Sequence, residues 1–126
     1  MNHGQGITKG SRLFLRSGGK VVFVNVEDID WLEAAANYVK VHTGGEVHSI
    51  RATMAAFETQ LDPARFIRIH RSTIVNVEQI RELRPCKNGE FIVILRNGKE
   101  LSLGRNFRAK MQNLIRGSRL GERNFE

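Results

Sequence analysis

The carboxylates Glu27, Asp28, Asp30 and Glu33 form the tightest group of potential acid–base or metal-binding side chains in the chain. Paired carboxylates work as general acid and base, or as hard-metal ligands, only when they converge on one point. This spacing instead fits a turn leading into a strand, with the acids in solvent. The second possibility is a pair of imidazoles, His42 and His48, which a hairpin at Gly44-Gly45 would set facing one another, with Cys86 as a third ligand. Two imidazoles and one thiol without short paired spacing make a poor zinc set. Cys86 as a nucleophile needs a neighbouring base and a lowered pKa, and the sequence places no such group beside it. A Gly-rich phosphate loop and a dinucleotide fingerprint are both missing from the sequence. The expectation is a protein without cofactor or catalytic metal, and not an enzyme.

The basic residues carry more information. Twenty Lys and Arg against thirteen Asp and Glu give a formal charge of +7 on 126 residues, which favours a polyanionic partner: DNA, RNA or an anionic membrane surface. The closing segment is the candidate for a membrane surface. Phe107, Met111, Leu114 and Ile115 form an apolar stripe at i, i+4, i+7 and i+8, with Arg105, Arg108, Lys110 and Arg116 on the remaining sides. The same stripe serves to cover a sheet, and packing is the expected use, with no membrane contact by this domain. A single cysteine allows no internal disulfide. The longest apolar run, Phe91 to Leu95, is far short of a membrane span, and the opening residues lack a signal-peptide pattern. A cytoplasmic setting is expected.

Positioning these groups falls to a mainly β architecture. Gly18-Gly19, Gly44-Gly45, Asn88-Gly89 and Asn97-Gly98 mark tight turns between segments of strand character. The strands predicted around them are Arg12 to Arg16, Lys20 to Val26, Tyr38 to Thr43, Val47 to Ile50, Glu90 to Leu95 (buried on both faces) and Glu100 to Leu103. Thr53 is placed to cap a short helix with Met54, Phe57 and Leu61 on its apolar side, stopped at Asp62-Pro63. A second helix carries the closing stripe, and a short turn or helix is expected to begin at Ser72. Residues 1–11 read as a flexible lead and 117–126 as a weakly ordered tail, leaving 12–116 as the folded domain.

Three segments, in order, carry a resemblance to a known family. Asp28-Ile29-Asp30-Trp31-Leu32-Glu33-Ala34 with Asn37-Tyr38-Val39 is similar to the opening of a LytTR DNA-binding domain. Phe66-Ile67-Arg68-Ile69-His70-Arg71-Ser72-Thr73-Ile74-Val75-Asn76 resembles that family's signature, and Leu101-Ser102-Leu103-Gly104-Arg105-Asn106-Phe107 its last strand and entry to the closing helix. The resemblance implies an elongated antiparallel β-sheet sandwich with two or three short helices. It also implies a bacterial response-regulator output domain that reads double-stranded promoter DNA from loops and strand ends. Homodimers on repeated sites would follow, as would a receiver or sensor domain outside this chain. Carried over by position, the base-reading places are Asn37 and Tyr38, then Arg71, then Arg105. Arg71 would grip guanine O6 and N7, and Arg105 guanine or a phosphate. Asn106 joins this set, or caps the closing helix. His70 is expected to pack or hydrogen-bond, with DNA contact the alternative. Lys40, Arg68, Lys99, Arg108 and Lys110 are the candidates for phosphate contacts, which orient without reading sequence. Two rival readings remain open from the residues: a basic β module that stacks RNA or single strands on exposed aromatics, and a domain whose basic surface meets an acidic protein.

Overall fold

All four glycine-marked turns fall between antiparallel strand partners in the computed structural model, which describes residues 12–116, and two of them are two-residue turns. Strand β1 (Arg12–Ser17) pairs antiparallel with β2 (Lys20–Asn25). Gly18 and Gly19 between them both have positive φ, 59° and 82°, as a twist-matched two-residue turn requires. A short 3-10 turn, Val26–Asp28, carries Glu27 and Asp28 into β3 (Ile29–Ala35). Glu27 and Asp28 are exposed in this turn as expected, whereas Asp30 and Glu33 lie half-buried on β3, where they meet the Gly44 amide and His42. Then follow β4 (Tyr38–Thr43), β5 (Glu46–Arg51), α1 (Met54–Gln60), β6 (Phe66–His70), β7 (Thr73–Asn76) and β8 (Ile80–Pro85). The chain continues through β9 (Phe91–Leu95) and β10 (Glu100–Leu103) to α2 (Arg108–Ile115).

The strands form three antiparallel sheets: β1-β2, a five-stranded sheet in the order β5-β4-β3-β7-β6, and a three-stranded sheet in the order β10-β9-β8. The five-stranded sheet has a core on each face. Leu32, Val39, Val41 and Ile50 pack with Leu13, Leu15 and Val24 of the β1-β2 hairpin and with Met54, Phe57 and Leu61 of α1 and its end. Trp31, Ile67, Ile69 and Val75 pack with Val93, Leu95, Leu101, Leu103 and Met111. The alternation of Leu32 with Trp31, and of Ile74 with Val75, is what feeds both cores from one sheet. Asn76 is buried at the seam. Its Nδ2 donates to the Ile29 carbonyl at 2.8 Å and its Oδ1 accepts from the Glu78 amide, so the enclosed amide is satisfied on both sides.

Three expectations need correcting. The segment after Ser72 is not a helix: Thr73 to Asn76 is an inner strand between β3 and β6, buried along its whole length. His42 and His48 do not face one another. The turn closes with Thr43 opposite Glu46, so His42 pairs with Val47 and His48 with Val41, on opposite faces of the hairpin. The closing stripe covers the sheet only in part, because Met111 is buried and Phe107 half-buried while Leu114 and Ile115 stay exposed. Thr53 does cap α1, its Oγ1 accepting from the Ala56 amide at 3.0 Å. The lead 1–11 and the tail 117–126 lie outside the described residues. Among those described, no helix is long and apolar enough to cross a membrane.

Candidate nucleic-acid interface

Three loops meet at one end of the five-stranded sheet. The β3-β4 hairpin closes with Ala35 opposite Tyr38, leaving Ala36 and Asn37 as its loop. Ala36 has φ 57°, a left-handed backbone conformation in which an alanine side chain crowds the carbonyl. The β6-β7 hairpin turns at Arg71-Ser72, and the Ala34 amide donates to the Ser72 carbonyl at 2.9 Å, tying this tip to β3. The third loop is anchored by the Gly104 amide, which donates to the Ile69 carbonyl at 2.7 Å. A Cβ at Gly104 would stand 3.2 Å from the Phe107 ring and 3.6 Å from His70, so this loop runs close against β6. Asn37, Tyr38, His70, Arg71, Arg105 and Asn106 are thereby brought to one edge.

The Arg71 tip is braced from beneath. His70 Nδ1 accepts from the Ser72 amide at 3.2 Å and lies 2.9 Å from the Ser72 hydroxyl. An accepting Nδ1 places the proton of the neutral ring on Nε2. Arg68 uses its whole guanidinium inside the protein: Nη1 donates to Glu58 on α1 at 2.9 Å, Nε to the His70 carbonyl at 3.3 Å, and Nη2 to the Arg71 carbonyl. Arg71 and Arg105, by contrast, are exposed, and neither guanidinium has a partner among the described residues. Asn37 is also exposed in its turn.

Other expected positions behave differently. Arg108 lies 5.1 Å from the Phe91 ring centre and donates to the Gly89 carbonyl, so, like Arg68, it is engaged internally rather than presented to a phosphate. Lys99 sits 5.3 Å from the Trp31 ring, at the far end of β10 from Gly104, and is not part of the edge. Below it Trp31 stacks on His42 at 4.1 Å between centroids, and His42 Nε2 is 2.9 Å from Glu33 Oε1. The histidine expected beside His48 is therefore part of a packed column. Asn106 does not cap α2: the residue before that helix is Phe107, and no side-chain cap bond forms. Lys110 is exposed on the first turn of α2, near Phe107. Lys40 is half-buried on β4, opposite Glu33.

One edge residue escaped the sequence reading. Arg51 pairs across the β4-β5 hairpin with Tyr38, and its guanidinium lies 5.9 Å from the Tyr38 ring. The two-residue Gly44-Gly45 turn fixes this pairing by counting back from Thr43 and Glu46, so the signal was available. The edge thus presents Arg51, Arg71 and Arg105, and none of the residues at the three tips is acidic.

Known bacterial proteins are similar to this chain. A LytT sensory transduction protein of Bacillus subtilis (strain 168) is 29% identical over 104 residues, covering 82% of this chain and 43% of that protein. The transcriptional regulatory protein LytR of Staphylococcus aureus (strain MW2) is 39% identical over 67 residues, 53% of this chain and 27% of its own length. The chain therefore spans less than half the length of these curated relatives. A solved LytTr DNA-binding domain from Bacillus cereus superposes with a TM-score of 0.74 at 25% identity, over 83% of this chain and 96% of that one. The family model for the LytTr DNA-binding domain matches residues 19–116, nearly all of the described fold, and the chain belongs to that family.

Proposed function

We propose that this chain is the output domain of a bacterial transcriptional regulator and reads duplex DNA sequence-specifically from the edge formed by its three loops. The observation that carries the reading is the pair of guanidiniums, Arg71 and Arg105, unpartnered among the described residues and set on tips braced by internal hydrogen bonds. A rigid sheet holding exposed arginines gives the fixed placement that bidentate recognition of guanine needs. Asn37, with its amide at the neighbouring tip, suits adenine. Tyr38 and Arg51 form the flank. Lys40 and Lys110 contact phosphates, Arg68 and Arg108 act as internal supports, and His70 orients the Arg71 turn. Two copies bind adjacent repeats in promoter DNA, and the sensing part of the protein lies outside this sequence.

Selection from a random duplex pool at near-physiological salt tests the reading. Enrichment of a short motif, bound at least about a thousandfold more tightly than scrambled duplex, is the expected result. Binding that is equally weak and salt-sensitive for every sequence would overturn it.

A further inference from the structure

The β1-β2 hairpin carries a second surface, remote in kind from the DNA-facing edge. Its inner face supplies Leu13, Leu15 and Val24 to the core. Its outer face sets Phe14 opposite Phe23 and Arg16 opposite Val21. These apolar side chains are open to solvent: Phe14 is 67% exposed, Phe23 54% and Val21 43%. The two rings lie 4.7 Å apart, packed on one another at 38°, and Arg12 stands 5.2 Å from the Phe23 ring. Exposed aromatic residues gathered on one small sheet mark an interaction site more often than chance solvation.

A second observation points the same way. Among the described residues, β2 pairs only with β1, so its other edge presents unpaired backbone amides and carbonyls beside the exposed rings. Proteins usually block such an edge with charge inside the strand, proline or a covering loop, but Lys-Val-Val-Phe-Val-Asn has a lysine only at its first position. The charge of the surface then narrows the occupant. From Arg12 to Val26 there are three basic residues and no carboxylate. A two-fold related copy would set this basic face against itself, which like-charge repulsion opposes. Nucleic acid and lipid headgroups suit the arginines, but neither offers the alternating donors and acceptors that a strand edge requires.

We propose that an extended acidic segment of a partner protein adds as a strand to the free edge of β2. On the outer face, apolar side chains of that segment lie against Val21 and Phe23, beside the Phe14 ring, and acids at the two ends of that same face meet Arg12 and Arg16. This is strand addition, with main-chain bonds supplying affinity and alternate side chains supplying selectivity. The proposal is independent of the DNA reading, since it uses none of the three loops.

The test uses the full 126-residue chain and a fluorescein-labelled synthetic peptide whose residues on one strand face are glutamate, valine, phenylalanine and glutamate in turn, separated by threonines, followed by fluorescence anisotropy. Saturable binding is expected, lost by about tenfold or more in Phe14→Ser and in Arg16→Glu, as for anchor residues of an interface. It should also be lost when alternate peptide nitrogens are methylated, and retained in the Arg71→Ala, Arg105→Ala double variant. Backbone amides of β2 should show the largest shifts in an NMR titration. Equal binding of the lysine counterpart of the peptide, indifference to N-methylation, or loss in the double variant but not in Phe14→Ser would each overturn the proposal. So would self-association abolished by Phe14→Ser, or displacement of the peptide by phosphatidylglycerol vesicles or single-stranded DNA acting through Phe14. Because Phe14 and Arg16 are exposed, an unchanged unfolding midpoint in both variants separates lost binding from lost structure.

Discussion

Arg68 and Arg71 stand three residues apart, share a charge and do opposite things. Arg71 projects from the turn without a side-chain partner among the described residues, whereas Arg68 turns inward to Glu58 and to the carbonyls of His70 and Arg71. The difference lies in the sheet. Arg68 pairs with Ile74 on the face toward α1, where a long side chain can cover apolar surface and still reach a carboxylate. Arg68→Ala should therefore lower stability by about 1–3 kcal/mol, the range for hydrogen bonds to charged groups, discounted for the partial exposure of Glu58. Urea unfolding measures this. The salt dependence of DNA binding should stay as in the wild type, because no phosphate contact is removed. A wild-type unfolding midpoint with a flattened salt dependence would instead make Arg68 a phosphate ligand.

At the scale of elements, the four glycine-marked hairpins were legible because such a turn between strand-like segments leaves few other solutions, whereas the hairpins that turn at Ala36-Asn37 and Arg71-Ser72 carry no glycine to mark them. α1 was legible from Thr53 and the apolar spacing after it. The β7 strand was not, because Thr73 to Asn76 is buried on both faces between β3 and β6 and so shows no alternation. A register shift between Ile80 and Glu82 likewise breaks the pattern of β8. The β3-β4 turn holds a different lesson: Ala36 occupies a left-handed conformation that a glycine would take without strain. Ala36→Gly should raise stability by about 0.5–1 kcal/mol, the relief of strain exceeding the greater backbone entropy lost by glycine. Thermal unfolding reads the change, and a lower midpoint would mean that the alanine side chain contributes packing of its own.

For the molecule as a whole, the charge of +7 announced a polyanionic partner but did not say which cations face it. Sequence resemblance placed Asn37, Arg71 and Arg105 at separate points along the chain. Their convergence depends on two backbone hydrogen bonds, Ala34 to Ser72 and Gly104 to Ile69, between segments far apart in sequence. Local pattern has no means of registering such contacts. The fold also divides the lysines. Lys110 flanks the edge, while Lys99 rests on Trp31 away from it. Lys110→Ala should reduce the slope of log K against log salt by about 1, and Lys99→Ala should leave it unchanged. Reversal of these two results would place the DNA on the other end of the sheet.

The most direct measurement is anisotropy of the wild type, Arg71→Ala and Arg105→Ala on a selected duplex and on single-base variants of it. Arg71→Ala is expected to lose about 1–3 kcal/mol on the selected duplex and to become indifferent to the base at one position, with its unfolding curve unchanged. Arg105→Ala should do the same at a second position or, if it holds a phosphate, weaken every duplex alike. Wild-type affinity and wild-type base preference in both variants would contradict reading from this edge.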